Sequence, residues 1–243
     1  MNRLLEDKVA IVTGATGGIG SAIVSAFAAD GARILVVSRS EERCARTVDE
    51  IRAQGGVAAA CLADVTEPGA PSRIVHAAVA NLGKVDILVN GAGVFVWKKL
   101  LELTPEDWNR TIETNLEGPF FLIQEAAKAM IEGGRGGSII NITSIHGLVG
   151  DPHVAAHCAS KFGLTGLTRA AAEALREFDI RVNAIAPGSV ERGSGDRRAE
   201  SPMKKVTEAD VASLACYLAS DLSRAITGAT IEAYGSTRTI IKA

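Results

Sequence analysis

The chain has 243 residues, 47% of them hydrophobic and 22% charged, with only 7 prolines, a composition that describes one well-packed globular domain and excludes a disordered or fibrous chain. Its 26 Lys and Arg against 28 Asp and Glu leave a formal charge of -2, which excludes the global positive field that binds nucleic acid through phosphate neutralisation. Cys44, Cys61, Cys158 and Cys216 are separated by 17, 97 and 58 residues, neither a zinc-ligand spacing nor a redox CxxC, so free thiols in a reducing cytosol are expected.

The first residues enter a strand after a few charged side chains, too soon for a secretory leader, and no apolar run reaches the length of a membrane span. A cytoplasmic protein without a membrane partner is the expectation. In chain order, short β-branched runs recur at Val9 to Val12, Arg33 to Val37, Val57 to Leu62, Val85 to Val89, Ser138 to Ile142, Ile180 to Ile185 and Ala229 to Ala233. Each reads as a buried strand. Helical periodicity fills the intervals: Ile19 to Ala29, Glu41 to Ala53, Ser72 to Leu82, Pro105 to Met130 with an interruption near Gly118-Pro119, His153 to Phe178, and Glu208 to Ala219. Alternation of strand and helix demands crossovers, and hence a doubly wound parallel sheet with helices on both faces. Ligands of such a sheet bind at the carboxyl ends of the strands, where the winding reverses. Thr104 is expected to cap a helix that begins with Pro105. Glu191 to Lys205, polar and charged, reads as a flexible surface loop.

Thr13-Gly14-Ala15-Thr16-Gly17-Gly18-Ile19-Gly20 follows the first strand and opens a helix. In that context a glycine-rich turn turns its backbone N–H groups and the helix dipole toward a pyrophosphate. This turn resembles the TGxxxGxG motif of the short-chain dehydrogenase/reductase family, and further matches follow in that family's order from about residue 6 to residue 236. Asn90-Gly91-Ala92-Gly93 resembles its NNAG turn, Asn115, Ser144 and Lys161 fall where its catalytic Asn, Ser and Lys belong, and Pro187-Gly188 looks like its PG turn.

The resemblance implies a single Rossmann-like domain with seven parallel strands, using a nicotinamide dinucleotide to oxidise a secondary alcohol or reduce a ketone. Gly14, Thr16, Gly17, Gly18, Ile19 and Gly20 would face the pyrophosphate, and Asp64 with Val65 would meet the adenine. Asp64 reads equally well as a capping or solvated acid. The second strand ends in Ser38-Arg39, where an NAD enzyme would carry an acid for the ribose hydroxyls. A hydroxyl followed by a guanidinium suits a 2'-phosphate, which favours NADP, with NAD the alternative.

The family's catalytic trio is Ser, Tyr and Lys, with an Asn holding a water. Here the segment reads His157-Cys158-Ala159-Ser160-Lys161, so histidine stands in the tyrosine slot, four residues before the lysine and thirteen after Ser144. The two tyrosines, Tyr217 and Tyr234, lie far along the chain. Imidazole is a competent acid-base group, but a neighbouring ammonium and an oxidised nicotinamide both disfavour its cation. A neutral His157 is expected, better suited to taking a proton from an alcohol than to giving one to a ketone. Ser189 stands where the family usually carries a threonine, and about twenty residues separate Gly188 from Glu208, short for the family's substrate lid.

These departures open an alternative, a catalytically silent subunit that supports an active paralogue in a hetero-oligomer. A homotetramer through the fifth and sixth helices is the family's usual assembly, and the small residues from Leu164 to Leu175 suit close helix packing. Lys98 and Lys99, together with five basic residues between Arg192 and Lys205, would attract an anionic substrate such as a coenzyme A thioester, or else are solvated charges. His146 and His153 either join a relay with His157 or are exposed loop residues. With His76 isolated and no acid-histidine cluster in the sequence, no metal is expected.

Overall fold

The computed structural model describes residues 3–191 and 206–235. The strands are β1 (Val9–Thr13), β2 (Arg33–Ser38), β3 (Val57–Leu62), β4 (Ile87–Asn90), β5 (Gly137–Ile142), β6 (Ile180–Pro187), β7 (Val190–Glu191), β8 (Val206–Thr207) and β9 (Thr230–Ala233). The helices are α1 (Gly18–Ala29), α2 (Glu41–Ala53), α3 (Ala70–Leu82), α4 (Pro105–Ile112), α5 (Gly118–Gly133), α6 (Ala155–Ala174) and α7 (Glu208–Ala219). Seven strands form one parallel sheet in the order β3-β2-β1-β4-β5-β6-β9. The doubly wound expectation holds. β7 and β8 pair with each other in a separate two-stranded ribbon, an element that two residues of strand on each side are too short to announce in sequence.

The sheet is covered on both faces, which is why its central strands read as unbroken apolar runs. Along β1 the alternation sorts side chains between two cores. Ala10 and Val12 join Phe27 of α1, Val48 of α2 and Leu218 of α7 on one face. Val9 and Ile11 join Ile74 of α3, Leu122 of α5 and Ala172 of α6 on the other. Near Gly118-Pro119, where the sequence suggests an interruption, the regular helix gives way to a π turn over Glu113–Glu117 that joins α4 to α5. Pro119 has no N–H to give the carbonyl four residues back, that of Asn115, and the widened turn precedes it. Thr104 and Asp107 form a reciprocal capping box at the start of α4, as Thr207 and Asp210 do for α7.

β1 and β4 are neighbours, yet the chain visits β2 and β3 between them, so the winding reverses where Thr13 and Asn90 end their strands. Thr13 ties the two ends together: its Oγ donates to the Val89 carbonyl (3.2 Å) and accepts from the N–H groups of Gly91 (3.1 Å) and Ala92 (3.2 Å). Of the surface loop expected over Glu191 to Lys205, Glu191 instead ends β7, and residues 192–205 lie outside the described residues. Among the described residues no helix is long and apolar enough to cross a membrane, and all four cysteines are free.

A Cβ on Gly20 would run into the Gly14 carbonyl, whereas one on Gly133 would meet nothing within 4 Å. Gly20→Ala is therefore expected to lower stability by ~1–3 kcal/mol, and Gly133→Ala to leave it unchanged or raise it by up to ~1 kcal/mol. Urea denaturation midpoints of the two variants check this difference.

Candidate active site

A cleft of about 1030 Å³ opens at the carboxyl ends of the strands. Its floor is the first glycine turn. Gly14 has φ of +65°, and a Cβ there would stand 2.6 Å from the Gly91 carbonyl, so backbone alone fits between β1 and the turn after β4. Gly17, Gly18, Ile19 and Gly20 line the cleft with Gly91 and Gly93, and α1 presents its N-terminus there with no side-chain cap on its N–H groups. The open backbone and the helix dipole fit a dinucleotide's pyrophosphate.

At the ends of β2 and β3 the remaining predicted cofactor residues gather outside the cleft lining. Thr16 and Ser38 share a hydrogen bond between their hydroxyls (2.8 Å), while Arg39 reaches Asp64 (3.4 Å). Burial pulls the Asp64 carboxyl upward, but hydrogen bonds from the Thr66 N–H and hydroxyl, with Arg39 beside it, hold it below the usual carboxylate range. Val65 is buried and packs at Gly118. Asn90 is turned inward: its Nδ2 donates to Asn141 Oδ1 (2.8 Å), and its own Oδ1 is a buried acceptor without a partner. Ala92 gives its N–H to Thr13.

The far end of the cleft holds Ser144, His157 and Lys161, with Pro187 and Gly188 on the wall. Ser144 follows β5, and its Oγ accepts from the His146 N–H (3.1 Å). His157 and Lys161 stand one turn apart on α6, which places both side chains on one face. Lys161 Nζ donates to the Ile142 carbonyl (2.8 Å), and burial lowers its pKa to about 8. Asn115, fully buried in the π turn, lies behind this group. Its Oδ1 accepts from the Val94 N–H (2.8 Å), and its Nδ2 donates to the Val94 carbonyl (3.0 Å) and to Ser160 Oγ (3.2 Å). The same Nδ2 is 3.4 Å from His157 Nδ1. Burial, then Lys161, then His146 bring the His157 pKa down to about 4. The neutral ring expected from sequence is what this environment produces.

One neighbour was not legible as a site residue. Glu208, read from sequence as the start of a helix, extends its carboxylate over the N-terminus of α1, where a Cβ on Gly18 would collide with it. The packing of α7 on α1 brings these positions together, and no sequence signal links residues so far apart. Phe95 meets the His157 ring edge-on at 4.9 Å, and His146 does so at 5.8 Å. His153 stacks on Trp97 at 5.2 Å, and Asp151 lies between His146 (3.7 Å) and His153 (3.6 Å). Lys98 does not line the cleft; its ammonium pairs with Asp107 (2.5 Å), so the anion attraction expected of it is spent within the chain. Another cleft, of about 530 Å³, lies at the opposite ends of the strands. There Lys8 pairs with Asp221 (3.7 Å) and Arg181 donates to the carbonyls of Leu218 (2.9 Å) and Ser220 (3.2 Å).

The depressed His157 pKa couples to stability. Between pH 6.5, the ordinary value, and about 4, the unfolded chain takes up a proton that the folded chain refuses, so stability falls as pH falls through this window. The loss from this one group is ~3 kcal/mol. Urea midpoints at pH 7 and pH 4.5 are expected to differ less in His157→Gln than in the wild type, the other acid-sensitive groups being common to both.

The comparisons with known proteins agree with this geometry. A family profile described as short chain dehydrogenase matches residues 8–202. L-rhamnose 1-dehydrogenase (NAD(P)(+)) of Azotobacter vinelandii is 38% identical over 244 residues, covering 94% of this chain and 95% of that one. A 3-oxoacyl-(acyl-carrier-protein) reductase of Staphylococcus epidermidis is 35% identical over 240 residues, covering 94% and 98%. Among solved structures, a short-chain type dehydrogenase/reductase from Mycobacterium marinum superposes with a TM-score of 0.90 at 30% identity, over 98% of each chain. A parallel sheet wound both ways from β1, a glycine turn at its switch point and relatives matched end to end leave one conclusion: the chain is an oxidoreductase of the short-chain dehydrogenase family.

Proposed function

We propose that the chain moves hydride between NADP, or alternatively NAD, and a secondary alcohol or ketone, with His157 in the position that tyrosine holds in the family. The observation that carries this reading is that Ser144, His157 and Lys161 line the cleft that begins at the glycine turn. The names of two relatives, a sugar 1-dehydrogenase and a 3-oxoacyl reductase, both denote interconversion of a C–OH and a C=O group. That common chemistry supports the substrate class.

When bound, the dinucleotide supplies the hydride acceptor or donor at its nicotinamide. The chain's own groups do the rest. The glycine turn holds the phosphates through backbone N–H groups, and Arg39 with Ser38 and Thr16 meets the adenosine ribose, a 2'-phosphate being the group a guanidinium recognises best. Arg39 must then share its charge between that phosphate and Asp64. Lys161, buried and charged at neutral pH, holds the nicotinamide ribose and disfavours a second cation at His157. Ser144 polarises the substrate oxygen through a hydrogen bond, and neutral His157 takes the proton that an alcohol releases from that oxygen as its carbon gives up hydride, reduction running the same step in reverse from the imidazolium. Phe95 and Val149 supply apolar wall. A homotetramer is supported by exposed aromatic side chains on the outer faces of α5 and α6, Phe121 at 42% and Phe162 at 48% exposure. The Glu208 carboxylate over the N-terminus of α1 is the observation that keeps a silent subunit as the alternative, since it opposes a bound diphosphate.

Two outcomes test this reading. His157→Phe is expected to lower kcat by ~10²-fold or more, the usual cost of losing a positioned polar group at the reacting oxygen, while the dinucleotide dissociation constant stays within a factor of two; unchanged kcat would remove His157 from the reaction. Glu208→Gln is expected to tighten NADPH or NADH binding roughly threefold to tenfold in calorimetric titration, because a carboxylate at a helix N-terminus opposes an incoming diphosphate.

A further inference from the structure

We propose that the substrate is a neutral secondary alcohol or ketone carrying an aryl group on its reacting carbon, and that Phe95 and Trp97 form the subsite for that ring. The inference rests on the reading of Ser144 and His157 as the groups at the reacting oxygen, and it goes further by naming what stands beside that oxygen.

An aromatic ladder runs outward from the reacting group. The Phe95 ring lies 4.9 Å from the His157 ring, Trp97 follows at 6.2 Å from Phe95, and His153 stacks on Trp97 at 5.2 Å with the two planes 4° apart. Phe95 lines the cleft, so an oxygen in contact with His157 brings the substituents of its carbon against that ring. Trp97 stands beyond the cleft lining and continues the same surface. Stacking on His153 covers one face of the indole, yet Trp97 stays 61% exposed and Phe95 54%. Rings left open at the mouth of a cleft have apolar area to give to a ligand. Their place is set by backbone: the Lys98 N–H donates to the His153 carbonyl (2.8 Å), and Lys98 forms a parallel bridge with Val154. Residues 95–98 are thereby pinned to the segment that leads into α6, the helix that carries His157.

Charge and polarity argue against the other substrate classes. Among the described residues that line the cleft, Lys161 is the one Lys or Arg, against the carboxyl groups of Asp151 and Glu208. Lys161 is also the proposed ribose contact, and the Lys98 ammonium beside Trp97 is turned to Asp107. A substrate bearing a carboxylate or phosphate therefore finds no spare cation among these residues. A sugar needs a hydrogen bond for each hydroxyl that it brings out of water. Asp151 already accepts from the His153 N–H (2.8 Å) and is shared by the His146 and His153 rings, while Phe95 and Val149 have no polar side-chain atom. An aryl ring meets this wall edge-on or offset, an arrangement favourable beyond the area it buries.

The first measurement is kcat/KM, with NADP and with NAD, for 1-phenylethanol, isopropanol, L-rhamnose and lactate. The aryl alcohol is expected to exceed each of the others by roughly tenfold or more, the gain from burying one face of a phenyl ring. Phe95→Ala is expected to lower the ratio of 1-phenylethanol to isopropanol roughly fivefold or more. An unchanged ratio, or L-rhamnose or lactate as the best substrate, would overturn the inference. The second measurement needs no turnover. The chain has two tryptophans, and Trp108→Phe assigns the indole N–H signal of Trp97 in 15N-labelled protein. Acetophenone is expected to shift that signal saturably, with and without dinucleotide, while the Trp108 signal of the wild type stays in place; an unmoved Trp97 signal removes the subsite. A saturable shift in a protein that oxidises none of the alcohols sinks the hydride reading and leaves the aryl subsite standing, and turnover of L-rhamnose with an unmoved Trp97 signal does the reverse.

Discussion

The clasp between the Asn115 side chain and the backbone of Val94 organises the reacting end of this molecule. It closes both hydrogen-bonding groups of a residue in the irregular segment after β4 against the π turn that joins α4 to α5. A buried segment without regular partners needs such closure, since each unpaired backbone group out of water is costly. Through Ser160 and His157 the same carboxamide reaches α6. Three elements from separate parts of the chain are thus referenced to one side chain.

Charge in the cleft follows from burial as much as from identity. Lys161 is enclosed, with one carbonyl as its hydrogen-bond acceptor, and its cation makes a second one at His157 unfavourable. At the other end, the N-terminus of α1 faces the Glu208 carboxylate. The site therefore keeps its positive charge at the proposed ribose contact and carries a negative group beside the proposed diphosphate contact. Arg39, the cation on which the NADP proposal rests, is held by Asp64. Each of these pairings sets how much attraction the cleft has left for an anionic ligand.

Aromatic side chains flank His157 where it lines the cleft: Phe95 and His146 meet the imidazole in T-shaped contacts. Asp151 stands between His146 and His153. Lys98 had looked equally available to a ligand, but its partner Asp107 was already committed to capping α4, and the two functions coincide on one carboxylate.

Composition and periodicity alone determined the alternating strands and helices, and hence the doubly wound sheet, because a parallel strand buried on both faces has no alternative to an apolar run. The ordered motifs Thr13 to Gly20, Asn115, Ser144 and Lys161 identified where the cleft had to be, since local chemistry at strand ends is written in adjacent residues. The interruption at Gly118-Pro119 was legible, but not its resolution as a π turn, which depends on how the flanking helices pack. Tertiary structure decided the rest: that Glu208 lies over Gly18, that Lys98 is spent on Asp107, and that an NH2 and not an oxygen faces the His157 ring. Each of these is a contact between elements far apart in the chain, and which atoms meet there depends on side-chain volume and backbone hydrogen bonding that no linear pattern encodes.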